Sequence, residues 1–274
     1  MRSRWLALAP LLTLAATPAL AQGEDDEGWV EQRQVSLPLA HNARPLTLPE
    51  DMFDVFLDSG ITQLSPQLVE VALGAGARYG VTDELEVGVR LLRVTLSESR
   101  NSGLGRPTAF TQLRADLGAV ELSGRLELEL PTGAGPLVSW LSLPALVRAG
   151  PYVRLDVAPT LVARTGAAWQ WALTTPVVLS GQVLPKLRIF VAGEVGLPDL
   201  RTGRDLLLAL GGGAAWTFGG PRPSAELEAR VTGPAVALAG ERPDDPAYGN
   251  YFAGALTLRL FFAGPSDDWR RSPF

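Results

Sequence analysis

The sequence contains no cysteine and only one histidine among its 274 residues. Without cysteine the chain can form neither disulfide bonds nor a thiolate site. The histidine, His41, has no second histidine or cysteine with which to build a transition-metal centre. A Ser-His-Asp hydrolase would need His41 as its base, and an isolated histidine is more often a solvated residue. The sequence therefore predicts no catalytic residue, no metal site, no cofactor and no enzymatic activity.

Basic residues are also scarce, with 24 Lys and Arg against 29 Asp and Glu. Because binding to phosphate needs a basic surface, a nucleic-acid partner is not expected. Long apolar runs are missing as well. The longest uncharged stretch, residues 165–185, is interrupted by Pro176, Gly181 and several polar side chains, which is not typical of a bilayer helix. No stretch has the length and periodicity of a good amphipathic helix.

The N-terminus has the pattern of a secretory signal peptide. Arg2 and Arg4 precede an apolar run, and a small-residue site at 19–21 predicts cleavage after Ala21. Removal of residues 1–21, which contain two arginines, would leave 22 basic and 29 acidic residues and a net charge of −7. Residues 22–45, with the acidic stretch GEDDEG, are predicted to form a flexible periplasmic N-terminal arm.

In residues 120–133, VELSGRLELELPTG, apolar and polar positions alternate from Val120 to Leu130, with Gly124 in the apolar row. Leu126 and Leu128 share one face, for example, and Glu127 and Glu129 share the other. Alternation of this kind indicates a β-strand, because successive side chains point to opposite faces. A soluble sandwich alternates between core and water, whereas a membrane barrel alternates between lipid outside and a polar lumen inside.

Similar strands follow one another along the chain. They are predicted at about 46–58, 67–80, 84–95, 107–117, 119–131, 138–148, 151–164, 167–180, 185–196, 204–218, 223–233 and 248–262. Their length favours a barrel, since soluble strands peak near five or six residues and tilted membrane strands need about 9–11. The predicted fold is all-β, a single antiparallel up-and-down transmembrane β-barrel of about twelve strands over residues 46–262. Residues 263–274 form a short C-terminal tail, and a soluble periplasmic β-sandwich is the alternative fold.

The two faces of these strands define the candidate functional residues. The predicted lumen-facing charge network comprises Glu70, Arg78, Glu86, Arg90, Arg125, Glu127, Glu129, Arg154, Asp156, Arg188, Glu194, Glu226, Glu228, Arg230 and Arg259. Aromatic residues near strand ends are predicted to form two interfacial girdles: Tyr79, Trp140, Tyr152, Trp169, Trp216, Phe218, Tyr251 and Phe262. The network holds seven arginines and eight acids, whereas an ion-selective pore is expected to have a ring of one sign.

Connection lengths add support for a barrel. If the first strand runs outward, long connections such as SGITQLSP and SESRNSGLGR lie outside and short ones such as VTDE lie inside. Long external loops and short periplasmic turns are the rule in such barrels.

Two stretches resemble known outer-membrane proteins. ARYGVTDELEVGVRL resembles the tight hairpin of Gram-negative outer-membrane β-barrels, and LELELPTG is similar to a strand-end motif of the phenol-degradation MetA-pathway family. The resemblance covers under a tenth of the chain and implies a barrel that passes small hydrophobic molecules. Outer-membrane barrels typically end on an aromatic residue of the last strand, but the stretch before Phe274 contains prolines and does not alternate. Phe262 is therefore the expected end of that strand.

The sequence thus predicts a porin-like protein of the cell outer membrane, exported by its signal peptide. Its expected function is a passive channel for small, hydrophobic solutes, and the alternative is a non-conducting barrel with a structural or partner-binding role. A barrel of about twelve strands is wider than the eight-stranded kind that side chains fill alone, so the arm or a loop could narrow it. The expected partners are outer-membrane lipid, the barrel-assembly machinery and a small hydrophobic solute.

Overall fold

The computed structural model describes residues 44–65, 68–97, 103–130, 137–165, 169–200, 206–219, 223–233, 236–239 and 252–263. The predicted signal peptide, His41, Tyr251, Phe274 and most of the predicted arm and tail lie outside these ranges. Within the described ranges, no helix is long and apolar enough to cross a membrane.

Sixteen β-strands form in the described part of the chain. They are β1 (Met52–Ser65), β2 (Leu68–Gly80), β3 (Leu85–Ser97), β4 (Gly103–Leu104), β5 (Thr108–Asp116), β6 (Val120–Glu129), β7 (Val138–Ser142), β8 (Ala145–Ala149), β9 (Val153–Val157), β10 (Thr160–Arg164), β11 (Gln170–Leu184), β12 (Leu187–Leu197), β13 (Leu206–Gly219), β14 (Pro223–Thr232), β15 (Val236–Ala239) and β16 (Phe252–Ala263). Strands β7 and β8 are two halves of one wall strand, as are β9 and β10, and the short β4 and β15 only pair with β3 and β13. The wall therefore has twelve strands, as predicted.

The sheet closes on itself. Strand β1 pairs antiparallel with β2, where Phe53 lies opposite Tyr79, and also with β16, where Phe53 lies opposite Phe262. A β-sandwich consists of two packed sheets, and this single sheet joins its first strand to its last. The prediction of an antiparallel up-and-down barrel is confirmed, and the sandwich alternative is wrong.

The two faces of the wall differ in chemistry. Glu127 lies opposite Phe110 of β5 and Trp140 of β7, and this row faces the lumen. The next residue, Leu128, lies in the outer row and is 38% exposed. Buried side chains in the inner rows are often charged: Asp54, Glu86, Glu121 and Glu226 are each at most 1% exposed. Alternation thus turns an apolar surface outward and a polar one inward.

The two ends of the barrel differ in their connections. One end, here called the turn end, carries the start of β1, the end of β16 and short connections such as residues 81–84 and 185–186. The opposite end, the loop end, carries longer connections such as residues 198–205. The first connection at the loop end departs from expectation, because β1 runs to Ser65 and β2 begins at Leu68. Only residues 66–67 separate these strands, because Ile61 and Gln63 pair with Val71 and Val69 of β2 and so continue the ladder into the predicted loop SGITQLSP.

The first strand also begins later than expected, at Met52 rather than residue 46. Pro45 and Pro49 have no backbone N–H to donate to a ladder. Asp51 adopts a positive φ of 60°, which turns the chain into the wall. Residues 44–51 therefore leave the sheet, and we call them the N-terminal segment.

Three prolines lie side by side at mid-height of the wall. Ser123 N donates to Pro144 O at 2.7 Å, Leu143 N to Pro159 O at 2.9 Å, and Ala158 N to Pro176 O at 3.0 Å. Proline has no N–H, so the reciprocal bond of each pair cannot form. The missing donors explain why the wall strands of residues 138–149 and 153–164 are each interrupted.

Candidate functional site

The N-terminal segment crosses the lumen at the turn end. Leu46 N donates to Glu121 of β6 at 2.8 Å, and Leu48 N donates to Glu86 of β3 at 2.7 Å. Arg44 lies within 2.6 Å of Glu226 of β14. Because β3, β6 and β14 lie at different points around the ring, the segment reaches across the lumen rather than along one wall.

Glu121 of β6 binds the middle of the segment. Its carboxylate is 1% exposed and accepts the Leu46 amide. It also forms ion pairs with Arg148 of β8 and, at 3.4 Å, with Arg114 of β5. Gln112 Nε2 donates to Leu46 O at 3.0 Å, so both backbone polar groups of Leu46 are bonded to the wall. Hydrogen bonds to charged groups contribute about 1.5–3 kcal/mol each, so this cluster holds the segment firmly.

Arg44 fixes the other end of the segment. Its carbonyl oxygen accepts from Arg154 at 2.7 Å and from Arg148 at 3.2 Å. Its guanidinium pairs with Glu226 and lies 5.2 Å from the centre of the Phe261 ring. Burial lowers the pKa of the Arg44 guanidinium from its ordinary value, and the attraction of Glu226 opposes this effect. A guanidinium does not deprotonate in proteins, so the pair remains ionic.

The segment meets the wall again at the end of β2 and at the connection that leads to β3. Thr47 Oγ1 donates to Asp83 O at 2.7 Å, and Asp51 N donates to Gly80 O at 2.9 Å. Gly80 is so close to the segment that an added Cβ would collide with the carbonyl of Pro49. A glycine is therefore required at this point of closest approach.

The register places all fifteen residues of the predicted charge network in the lumen-facing rows. Representative pairs within those rows are Arg78 opposite Asp54, Arg188 opposite Gln182, and Glu226 opposite Arg259. Ion pairs join only some of the fifteen to each other or to further residues: Arg78 with Asp54 and Glu86, Arg90 with Asp58, Arg125 with Glu127, Arg154 with Asp156, Arg188 with Glu228, and Glu226 with Arg44. Among the described residues, Glu70, Glu129, Glu194, Arg230 and Arg259 join no ion pair.

Those ion pairs do not bridge opposite walls. Arg125 with Glu127 and Arg154 with Asp156 lie on one strand each, and Arg188 and Glu228 lie two wall strands apart. These ion pairs therefore link residues of one strand or of nearby strands and do not span the lumen. Across the lumen, the described connection is the N-terminal segment.

Six of the predicted girdle aromatics are exposed on the outer surface or at its ends. Tyr79, Tyr152, Trp216, Phe218 and Phe262 lie towards the turn end, and Trp169 lies towards the loop end. The Trp169 ring stacks on that of Trp171, with centroids 5.7 Å apart. Trp140 is the exception, because it lies opposite Glu127 and Val162 in a lumen-facing row. The prediction for Trp140 is wrong, since the stretch VSWLS has serines on both faces and gives no polarity signal.

Phenylalanine rings also lie in the lumen, a feature that the sequence pattern did not predict. Phe56, Phe110 and Phe190 lie in lumen-facing rows and, like Phe261, each carries an arginine over its ring. Arg125 lies 3.7 Å from the Phe110 centroid, and Arg188 lies 4.8 Å from that of Phe190. Such contacts are favourable when shielded from water. The lumen is therefore amphipathic rather than purely polar.

Several charged residues of the site are also absent from the predicted set: Arg44, Asp54, Arg114, Glu121 and Arg148. Glu121 lies in the polar row of VELSGRLELELPTG, and Asp54 alternates with apolar residues in MFDVFLD, so the period of two could have revealed both. Nothing local marks Arg44, whose partners lie more than 100 residues away.

The described residues contain no cluster of three or more His, Asp or Glu side chains that could hold a metal ion. No family model matches this chain, and no curated protein matches it in sequence.

Several solved structures share the fold. The COG4313 outer membrane channel from Pseudomonas putida F1 is 15% identical with a TM-score of 0.58, over 80% of this chain and 99% of that chain. The KdgM porin in complex with disordered oligogalacturonate is 7% identical with a TM-score of 0.52, over 77% and 99%. A NanC porin is 6% identical with a TM-score of 0.50, over 76% and 98%. At these identities the likeness shows a common barrel fold, and fold alone does not fix function.

Proposed function

We propose that the mature chain is an outer-membrane β-barrel that acts as a passive channel for small solutes and is restricted by its N-terminal segment. The observation that carries this proposal is the contrast between the two faces of the closed wall, apolar outside and charged inside. An apolar exterior of this extent on strands of nine or more residues suits a hydrocarbon layer about 30 Å thick. Export by a signal peptide and insertion by the barrel-assembly machinery belong to the same proposal.

The finer part of the proposal is that the solutes are small and hydrophobic, as the resemblance to the phenol-degradation MetA-pathway family implies. The lumen-facing rings of Phe56, Phe110, Phe190 and Phe261 support it, because apolar and aromatic surfaces bind such solutes. The near balance of seven arginines and eight acids in the predicted network argues against a strongly ion-selective pore.

A non-conducting barrel with a structural or partner-binding role is the second candidate. It is favoured by the depth at which the N-terminal segment is held, since Thr47 is 2% exposed and Leu48 is 8% exposed. A segment bonded to β3, β6 and β14 narrows the lumen at the turn end.

Conductance in planar lipid bilayers distinguishes these functions. The mature chain, refolded in detergent into a heat-modifiable state, should give weak currents of little selectivity. Deletion of residues 22–50 should raise the conductance several-fold, whereas deletion of residues 22–43 alone, which keeps the segment, should not. If both deletions are as silent as the full chain, the non-conducting role is correct. A monodisperse, fully folded protein in detergent-free buffer would contradict membrane insertion altogether.

A further inference from the structure

A cavity of about 150 Å³ lies between the N-terminal segment and the wall at the turn end. Its apolar lining includes Leu46 and Leu48 from the segment and Phe261 from β16. An apolar cavity of about 150 Å³ is large enough to bind benzene. The space therefore suits a ligand with an apolar body of that size.

The charge of the cavity lining is one-sided. Four arginines line it, Arg44, Arg78, Arg154 and Arg259, with Glu86 as the one carboxylate among the lining residues. Three of these arginines are engaged with carboxylates: Arg44 with Glu226, Arg78 with Asp54 and Glu86, and Arg154 with Asp156.

Arg259 differs from the other three. In the part of the chain that the structure describes, its guanidinium has neither an ion pair nor a hydrogen bond. Its register partners are Glu226 on one side and Phe56 on the other, and Glu226 is committed to Arg44. Arg259 is half-buried and lines the cavity, so an anion bound there would meet a guanidinium that has no ion pair of its own. Arg259 thus brings to the cavity a positive charge that has no ion pair of its own and only the longer-range attraction of Glu226.

We propose that this cavity binds a small monocarboxylate with an apolar body of about benzene size, with its carboxylate on Arg259. A neutral apolar solute would fill the space and leave Arg259 without an ion pair, and a phosphate would pair with Arg259 and leave the apolar lining against water. An apolar acid matches both halves of the lining. This inference rests on the proposed function for entry of the ligand into the lumen, whereas binding itself can be measured without transport.

Benzoate is the probe, with benzyl alcohol as a neutral control of the same shape. Isothermal titration of the full mature chain in detergent, corrected for empty micelles, should show benzoate binding at least tenfold more tightly than benzyl alcohol. Arg259→Gln should weaken benzoate binding at least tenfold and leave benzyl alcohol unaffected. Arg93→Gln is the matched control, because Arg93 lies opposite Gly74 in a lumen-facing row and is exposed, apart from the cavity. It should leave benzoate binding unchanged.

Equal affinity for the acid and the alcohol, or benzoate affinity unchanged by Arg259→Gln, would overturn the proposal. If Arg259→Gln does not fold, Arg259→Lys keeps the charge and should retain benzoate affinity within tenfold. The comparison of benzoate with benzyl alcohol on the unaltered protein also tests the proposal without any variant. Conductance of the same preparations separates this inference from the proposed function. Benzoate binding without conductance would contradict the channel function and support the binding site. Conductance without benzoate binding would contradict the binding site.

Discussion

Loss of the Arg44 charge should release the N-terminal segment from the lumen. The side chains of Arg44 and Glu226 are 11% and 2% exposed, so their ion pair is buried. Removal of one partner from a buried pair typically costs about 3–5 kcal/mol. Arg259 lies opposite Glu226 and can compensate part of its charge, so we expect the lower end of this range. At 1.36 kcal/mol per tenfold change, about 3 kcal/mol corresponds to roughly a hundredfold shift of the equilibrium towards the released segment.

Thiol labelling can measure this shift, because the chain has no cysteine of its own. Leu48→Cys places a single thiol on the segment at a position that is 8% exposed. In the refolded barrel this thiol should react slowly with a membrane-impermeant maleimide. When Arg44→Gln is added, labelling should accelerate by up to a hundredfold, and bilayer conductance should rise with it.

The matched control for this experiment is Arg93→Gln in the same Leu48→Cys background. It removes an equal charge from a lumen-facing row without touching the segment, so the labelling rate should not change. Equal rates in the Arg44→Gln and Arg93→Gln proteins would refute the reasoning. Fast labelling of the Leu48→Cys protein with no second substitution would show that the segment does not occupy the lumen in a bilayer-like environment.

Two further predictions test the faces and the charge balance of the wall. Leu128→Arg should impair folding or insertion by about 2–4 kcal/mol in a denaturant titration in lipid, because it places a charge on the lipid side. Glu127→Gln should be milder, and equal effects would mean that the faces are assigned wrongly. Replacement of Glu127, Glu129, Glu226 and Glu228 together by Gln should free arginine side chains and make reversal potentials favour anions over cations. A quadruple variant without any anion preference would contradict a charge-lined passage.

The wall of the barrel could be predicted because its signal is local. Glu127 and Leu128 reveal their faces through a period of two, and the same period repeated through twelve strands defines the barrel. The prediction fails where the two faces carry similar residues, as for Trp140 between Ser139 and Leu141. It also fails at the first strand, where Pro45 and Pro49 interrupt a pattern that otherwise continues into Met52.

The closure of the lumen could not be predicted in the same way, because it depends on pairs that are distant in sequence. Glu121 lies 75 residues from its partner Leu46, and Arg154 lies 110 residues from the carbonyl of Arg44 that it bonds. A period identifies which side of a strand Glu121 occupies, but it carries no information on which backbone amide the carboxylate will meet. Loop and segment positions are decided by the whole barrel rather than by neighbouring residues.

The chemistry of the segment explains why an unpaired backbone can lie inside a barrel. A chain outside a sheet exposes amides that must find acceptors when they are buried. Glu121 and Glu86, each 1% exposed, accept the amides of Leu46 and Leu48. The same carboxylates need donors because each is removed from bulk water. Arginines of the wall supply some of these donors and the segment amides supply the rest, so the buried acids and the segment stabilise each other.

Neutral Glu121→Gln would weaken both the Arg148 ion pair and the Leu46 hydrogen bond. Its effect on the rate of thiol labelling at residue 48 should therefore be as large as that of Arg44→Gln.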